Sequence, residues 1–175
     1  MDRIDALTDL KDQAALSGEY GRLGVSSFVN LYAQPDQKDS KMNTLYSDQS
    51  GLSLGERSYY EKMDSAMVNI RKEFVHHVDT MFSLAGLAEK DAGKTVLDFE
   101  TGLAKFQLTN IQRRDPSIYS KIAFADFVKL SPKYDLATAV AKAGISSDSL
   151  LVENKDYGMK ASAYIAATPL STLKT

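Results

Sequence analysis

The chain is 175 residues long, 43% hydrophobic and 25% charged, with a formal net charge of −2 at pH 7. That is enough for the interior of one ordinary domain, and a near balance of acidic and basic residues spread along the chain offers no basic face for nucleic acid. No apolar run approaches the roughly 20 residues that cross a bilayer and no signal-peptide profile opens the chain, so it reads as soluble with no membrane segment.

Cysteine is absent, which removes disulfides, thiol catalysis and cysteine metal sites while leaving the compartment open. Ile4, Leu7, Leu10, Ala14 and Leu16 or Ala15 follow the three-and-four spacing of one buried face, predicting a helix from Arg3 to about Leu23 that Gly24 ends. Ser26 to Tyr32 is rich in β-branched and aromatic residues. It can pair with Met42 to Ser47 across the polar stretch Pro35 to Lys41, as a β-hairpin. In the stretch Asp48 to Tyr60, Gly51 and Gly55 can take positive φ and turn the chain. Leu52 and Leu54 would anchor that turn. Glu56 falls at a helix start, where exposed amides favour negative charge, and Tyr59 and Tyr60 begin burial.

Two long helices follow. The first, Asp64 to Leu84, would bury Met67, Ile70, Phe74, Val78 or His77, and Met81; the second, Glu89 to Thr109, would bury Val96, Phe99, Leu103 and Phe106. Gly93 and Gly102 each cost about 1 kcal/mol relative to Ala in a helix, so close packing of adjacent, antiparallel helices has to justify them. The helical pattern breaks at Arg113-Arg114-Asp115-Pro116, where Pro116 favours an extended Asp115 and can begin a new turn. Ala123 to Leu130 reads as a short helix, and Asp135 can cap another running to about Ala143. Leu150-Leu151-Val152 is extended, Asp156 to Ala167 helical, and Thr168-Pro169-Leu170 opens a last turn. No repeat or low-complexity linker divides the chain, so residues 1–175 read as a single unit.

No composition rule generates Asp48-Gln49, Gly51-Leu52 and then Leu54-Gly55-Glu56-Arg57-Ser58-Tyr59-Tyr60. That order resembles the neprilysin and endothelin-converting-enzyme family of zinc metallopeptidases, whose pattern is Asp-Gln, Gly-Leu, Leu-Pro-x-Arg-Asp-Tyr-Tyr. Gly55 stands where Pro is usual and Ser58 where Asp is usual. Further landmarks recur in the family's order. Asp36 and Lys38 resemble residues in the turn of a comparable extended pair, and Glu100 with Leu103 and Ala104 resembles a Glu-x-x-Leu-Ala helix. Arg114-Asp115-Pro116 with Tyr119 resembles Arg-Asp-Pro…Tyr-Asn, with Ser120 in place of Asn. Pro132, Tyr134 and Asp135 resemble Pro-x-Phe-Asp-Trp, with Leu136 in place of Trp; Asp156-Tyr157 and Thr168-Pro169-Leu170…Leu173-Lys174 complete the set. Several motifs in shared order outweigh any one of them.

The resemblance implies a mainly α fold with a small β-hairpin, a multi-helix fragment of a two-domain metallopeptidase. Such a domain is the substrate-gating side of a closed cavity that admits short peptides. Zinc and cleavage would belong to a His-Glu-x-x-His helix and a downstream Glu in a catalytic domain absent from this chain, so zinc is implied for the parent protein only. The implied partners are that catalytic domain, short peptides and, through apolar surface left bare, further copies of the chain. The parent's localisation stays open. The alternative is a stand-alone helical module that binds a peptide or protein without enzymatic activity.

The residues themselves supply no catalytic or metal-binding set. His76 and His77 are neighbours pointing about 100° apart on a helix, so they cannot present one face to an ion as an i, i+4 pair does. One half-buried histidine, one solvated neighbour and a solvated Asp79 are expected. Arg57, Tyr59, Tyr60, Arg114, Asp115 and Tyr119 remain as substrate-cavity or structural candidates. Arg113-Arg114 with Asp115 either grips a peptide carboxylate or, the favoured reading, forms a loop ion pair that fixes the junction. Tyr59-Tyr60 either lines a peptide cavity or, again favoured, packs into the core. Asp98 and Glu100 point to different sides of a helix and make no acid–base pair. There is no nucleophile elbow, phosphate loop or dinucleotide fingerprint.

Overall fold

Short polar side chains decide where the helices begin. In the computed structural model, which describes residues 2–25, 27–87 and 89–175, the carboxylate of Asp9 accepts the backbone N–H groups of Lys11 and Asp12. This satisfies donors that a helix start leaves free. The single N-terminal helix expected from Arg3 to Leu23 is therefore two, α1 (Asp2–Asp5) and α2 (Leu10–Gly21). Periodicity conceals the break because Leu7, between them, is buried as well. Gly24 follows at φ 83°.

The hairpin forms as expected, β1 (Val29–Pro35) against β2 (Asn43–Gln49) in antiparallel register, with Tyr32 opposite Tyr46. Ser26, where the first strand was expected to begin, lies outside the described residues. In the turn, Asp36 accepts the Lys38 N–H at 2.8 Å and the Thr44 hydroxyl at 2.9 Å. Gly51 and Gly55 have φ of 86° and 90° and turn the chain into the short helix α3 (Ser58–Glu61).

The helix α4 (Ser65–Leu84), capped by Asp64, and α5 (Ala92–Ala104) pack side by side. A Cβ on Gly93 would lie 2.2 Å from the Val75 carbonyl oxygen, and one on Gly102 would lie 2.1 Å from the Tyr164 hydroxyl. Both glycines thus permit contacts that no side chain would allow. Met67, Ile70, Phe74 and Val78 are half-buried, but Met81 is 52% exposed and α4 has no fully buried residue. The α5 helix ends earlier than expected, at Ala104 rather than Thr109.

Two 3-10 turns, Gln112–Arg114 and Pro116–Ile118, lead to β3 (Ser120–Ala123), a strand not expected from the sequence. Then follow α6 (Phe124–Lys129), α7 (Leu136–Lys142), β4 (Ser149–Val152), α8 (Lys155–Ala167) and α9 (Leu170–Lys174). Asp135 caps α7 and Asn154 caps α8. The hairpin belongs to a larger sheet of order β1-β2-β4-β3, in which β4 runs parallel to β2 and antiparallel to β3.

Strand alternation sends Val29, Leu31, Leu45, Ile122, Leu150 and Val152 to one face of this sheet. There they pack with Ala14, Leu103, Phe127, Leu136, Val140, Ala161 and Ile165 from the helices. The fold is mainly α with one small sheet, as expected, and that sheet carries four strands.

Candidate functional site

Two polar nodes hold the loops 51–60 and 107–119 in place. The first lies under the turn at 51–60. The Glu100 carboxylate, buried on α5, accepts the Ser53 N–H at 3.1 Å, the Ser53 hydroxyl at 2.6 Å and the Tyr60 hydroxyl. The Tyr60 oxygen accepts the Leu54 N–H at 2.9 Å. A buried carboxylate with three donors is well satisfied where it lies. Burial first, then the bond to Glu100, raises the Tyr60 phenol well above its usual pKa.

Arg57 stands beside this node. Its Nη1 donates to the Gln107 carbonyl at 3.1 Å and its Nε pairs with Glu61 at 2.7 Å. Gln107 in turn donates to the Ser50 carbonyl at 2.7 Å. Tyr59 is half-buried, and its carbonyl accepts Arg71 Nη1 at 2.6 Å.

The second node occupies the sheet face opposite the apolar core. Tyr32 stacks on the fully buried Tyr46 with centroids 5.6 Å apart, and Tyr119 meets Tyr46 edge-on at 5.5 Å. Asp48 accepts the Tyr32 hydroxyl at 2.9 Å, the Tyr119 hydroxyl at 3.2 Å and Arg113 Nη2 at 3.1 Å. Arg113 also donates through Nε to Glu153. Burial, followed by the charge of Asp48, pushes the Tyr119 phenol up to about 12.

Of the six candidate residues, Arg57, Tyr59 and Tyr60 thus gather near the first node and Tyr119 joins the second. Arg114 and Asp115 are exposed and belong to neither. Asp115 accepts the Ser117 N–H at 2.9 Å, which caps the second 3-10 turn; the Ser117 side chain, followed by this N–H, lowers its carboxyl. The loop ion pair expected of Arg113-Arg114 with Asp115 is instead a pair between Arg113 and two acids distant in sequence, Asp48 and Glu153. Sequence reasoning missed Glu153 entirely. Its one signal was position, directly after the extended run Leu150 to Val152.

Clefts adjoin both nodes. One of about 510 Å³ lies between α2, α5 and α9, lined by Leu16, Phe28, Val96, Phe99 and Leu103 with Glu100 and Ser53 at its polar side. Another, of about 550 Å³, runs from the hairpin turn to β3 and includes Asp36, Lys38, Tyr119 and Lys121.

Zinc requires several His, Cys, Asp or Glu side chains converging on one point. Among the described residues no group of three or more gathers in that way. His76 and His77 are both exposed, where one half-buried histidine was expected. Asp79 is engaged where solvation was expected, accepting the Gly93 N–H at 2.7 Å and so capping α5 from the neighbouring helix. The described residues do not fit a zinc site.

The sequence model of peptidase family M13 matches residues 1–175. Endothelin-converting enzyme 1 of Mus musculus is 31% identical over 154 residues, covering 82% of this chain and 20% of that protein. Neprilysin-11 of Caenorhabditis elegans is 34% identical over 123 residues, covering 64% of this chain and 14% of that protein. Among solved structures, the Mycobacterium tuberculosis zinc metalloprotease Zmp1 in complex with inhibitor superposes with a TM-score of 0.87 at 27% identity, covering 99% of this chain and 27% of that one. PepO of Lactobacillus rhamnosis HN001 shares the fold at 16% identity, with a TM-score of 0.75 over 99% of this chain and 28% of that one. The matches thus cover only 14–28% of the length of these larger relatives. With a match that runs from its first residue to its last, the chain belongs to peptidase family M13.

Proposed function

We propose that these 175 residues are the helical, substrate-gating part of a zinc metalloendopeptidase that cleaves short peptides. Bond cleavage, and the zinc that serves it, would lie in other parts of the protein. The observation that carries this is the full-length match to the family, joined to a close structural likeness to a zinc metalloprotease at 27% identity. Two features of the chain support a wall rather than a reaction centre. Its buried carboxylates are consumed by hydrogen bonds and an ion pair, and no ligand set gathers among the described residues.

In this role the first node fixes the turn at 51–60 against α5, and the second fixes the segment 107–119 against the sheet. A wall held at both places keeps its shape, so the enclosed space selects substrates by size. Arg57, Tyr59, Tyr60 and Tyr119 would serve as cavity-wall and supporting residues. Leu23, Met63, Leu84 and Ile111 are exposed and would favour contact with the rest of the polypeptide or, in the isolated chain, self-association. The stand-alone binding module has no observation of its own in its favour.

Hydrolysis of peptides of increasing length and of a folded protein, by the full-length protein containing this chain, tests the reading. Turnover restricted to short peptides is expected, with none from the 175-residue chain alone, with or without zinc. Zinc-dependent turnover by the 175 residues, or equal cleavage of the folded protein, would overturn it.

A further inference from the structure

Three elements far apart in sequence meet at one corner of the sheet. Asp48 lies near the end of β2, Glu153 directly follows β4, and Arg113 belongs to the first 3-10 turn. One guanidinium serves both acids. The acid side chains are only 10% and 1% exposed, and that of Arg113 is 34% exposed. The other groups facing them are neutral: the Gln49 N–H, 3.3 Å from Glu153, and the phenols of Tyr32 from β1 and Tyr119, which both reach Asp48. The other ion pair on this face, Lys121 with Asp36, lies at the hairpin-turn end. Two ionised acids against one cation would leave an uncompensated negative charge largely out of water. Closely placed like charges in that setting retain a proton.

We propose that this node is a proton-linked latch, neutral and tight when Glu153 carries one proton, and loosened when that proton leaves. What it fastens is the segment 107–119. Besides Arg113, that segment is tied to β2 by Gln49, whose Nε2 donates to the Leu108 carbonyl at 2.9 Å and whose Oε1 accepts the Leu108 N–H at 2.7 Å. Tyr119 continues the same segment into the wall of the 550 Å³ cleft. The state of the latch therefore bears on the shape of that cleft.

The electrostatics agree with the count of charges. Burial, opposed by Arg113 and reinforced by Asp48, raises the Glu153 carboxyl. For Arg113, desolvation alone would lower the pKa, but the bond and charge of Glu153 and the charge of Asp48 raise it. A carboxyl raised on folding contributes stability that is complete below its unfolded pKa and is lost as pH rises through its folded pKa. The latch is tightest in mild acid.

The test is a carboxyl-carbon NMR titration of Glu153 in the 175-residue chain, with amide exchange at Leu108 followed across the same pH range. Glu153 should titrate above the ordinary carboxylate range, and Asp48→Asn should lower its midpoint. Leu108 protection, corrected for intrinsic exchange, should fall severalfold as pH rises through that midpoint. That step should vanish in Glu153→Gln. A Glu153 midpoint at or below the ordinary value overturns the latch, and the wild-type titration decides this even if neither variant folds. A midpoint unmoved by Asp48→Asn, or a Leu108 step that persists in Glu153→Gln, also overturns it.

Discussion

Glu100 shows how a single residue can be visible in a sequence while its purpose is not. Its spacing to Leu103 and Ala104 marked it, and helical geometry separated it from Asp98. Its partners Ser53 and Tyr60 lie 47 and 40 residues away in sequence, a distance no local pattern spans. Asp48 was likewise visible within its motif, whereas Arg113 and Glu153 became meaningful only when folding brought them to it. Removing one donor from a buried carboxylate leaves charge unmatched, at a cost of about 1.5–3 kcal/mol. Tyr60→Phe should lower the unfolding free energy by about that amount in urea titration, with an unchanged m-value. A loss well below 1 kcal/mol would mean that the bond to Glu100 contributes little.

Among the elements, α4 was legible from its apolar spacing and α7 from its cap at Asp135, and α8 was placed to within a residue of its start. The division of α1 from α2 was not, because the cap at Asp9 interrupts the backbone without interrupting the apolar spacing. The β3 strand was hidden by its shortness: four residues, Ser120–Ala123, contain one β-branched side chain. The pairing of α4 with α5 could be inferred from two costly glycines, and Gly93 is where it can be probed. An added methyl would meet the Val75 backbone at 2.2 Å, and backbone moves less readily than a side chain. Despite the better helix propensity of alanine, Gly93→Ala should destabilise by about 1–3 kcal/mol through overpacking. Thermal unfolding checks the sign: a melting temperature equal to or above wild type would show that the two helices can move apart freely.

For the whole molecule, stability should fall at both ends of the pH scale. Hydrogen bonds hold Asp12, Asp36, Asp115 and Asp135 below their usual range, so their contributions are present above the unfolded carboxyl pKa and are lost as pH falls. The phenols act at the other end. Tyr119 is raised from 10.0 to about 12, so its contribution is complete below pH 10 and disappears as pH climbs through that interval. Tyr119→Phe should flatten part of the alkaline decline in a series of urea titrations between pH 9 and about 12; an unaltered slope would show that Tyr119 is not its source. The overall class was legible because it depends on helix content. The order of the sheet was not, since β4 could be recognised as extended but not assigned a neighbour. That neighbour carries a cost in time. Leu45 of β2 lies beside Leu150 of β4, so a ribosome that has just released β2 must polymerise about a hundred more residues before the parallel partner exists. At about 5–20 residues per second, the nascent hairpin waits roughly 5–20 s with an open flank, an interval in which a holdase chaperone has most to protect.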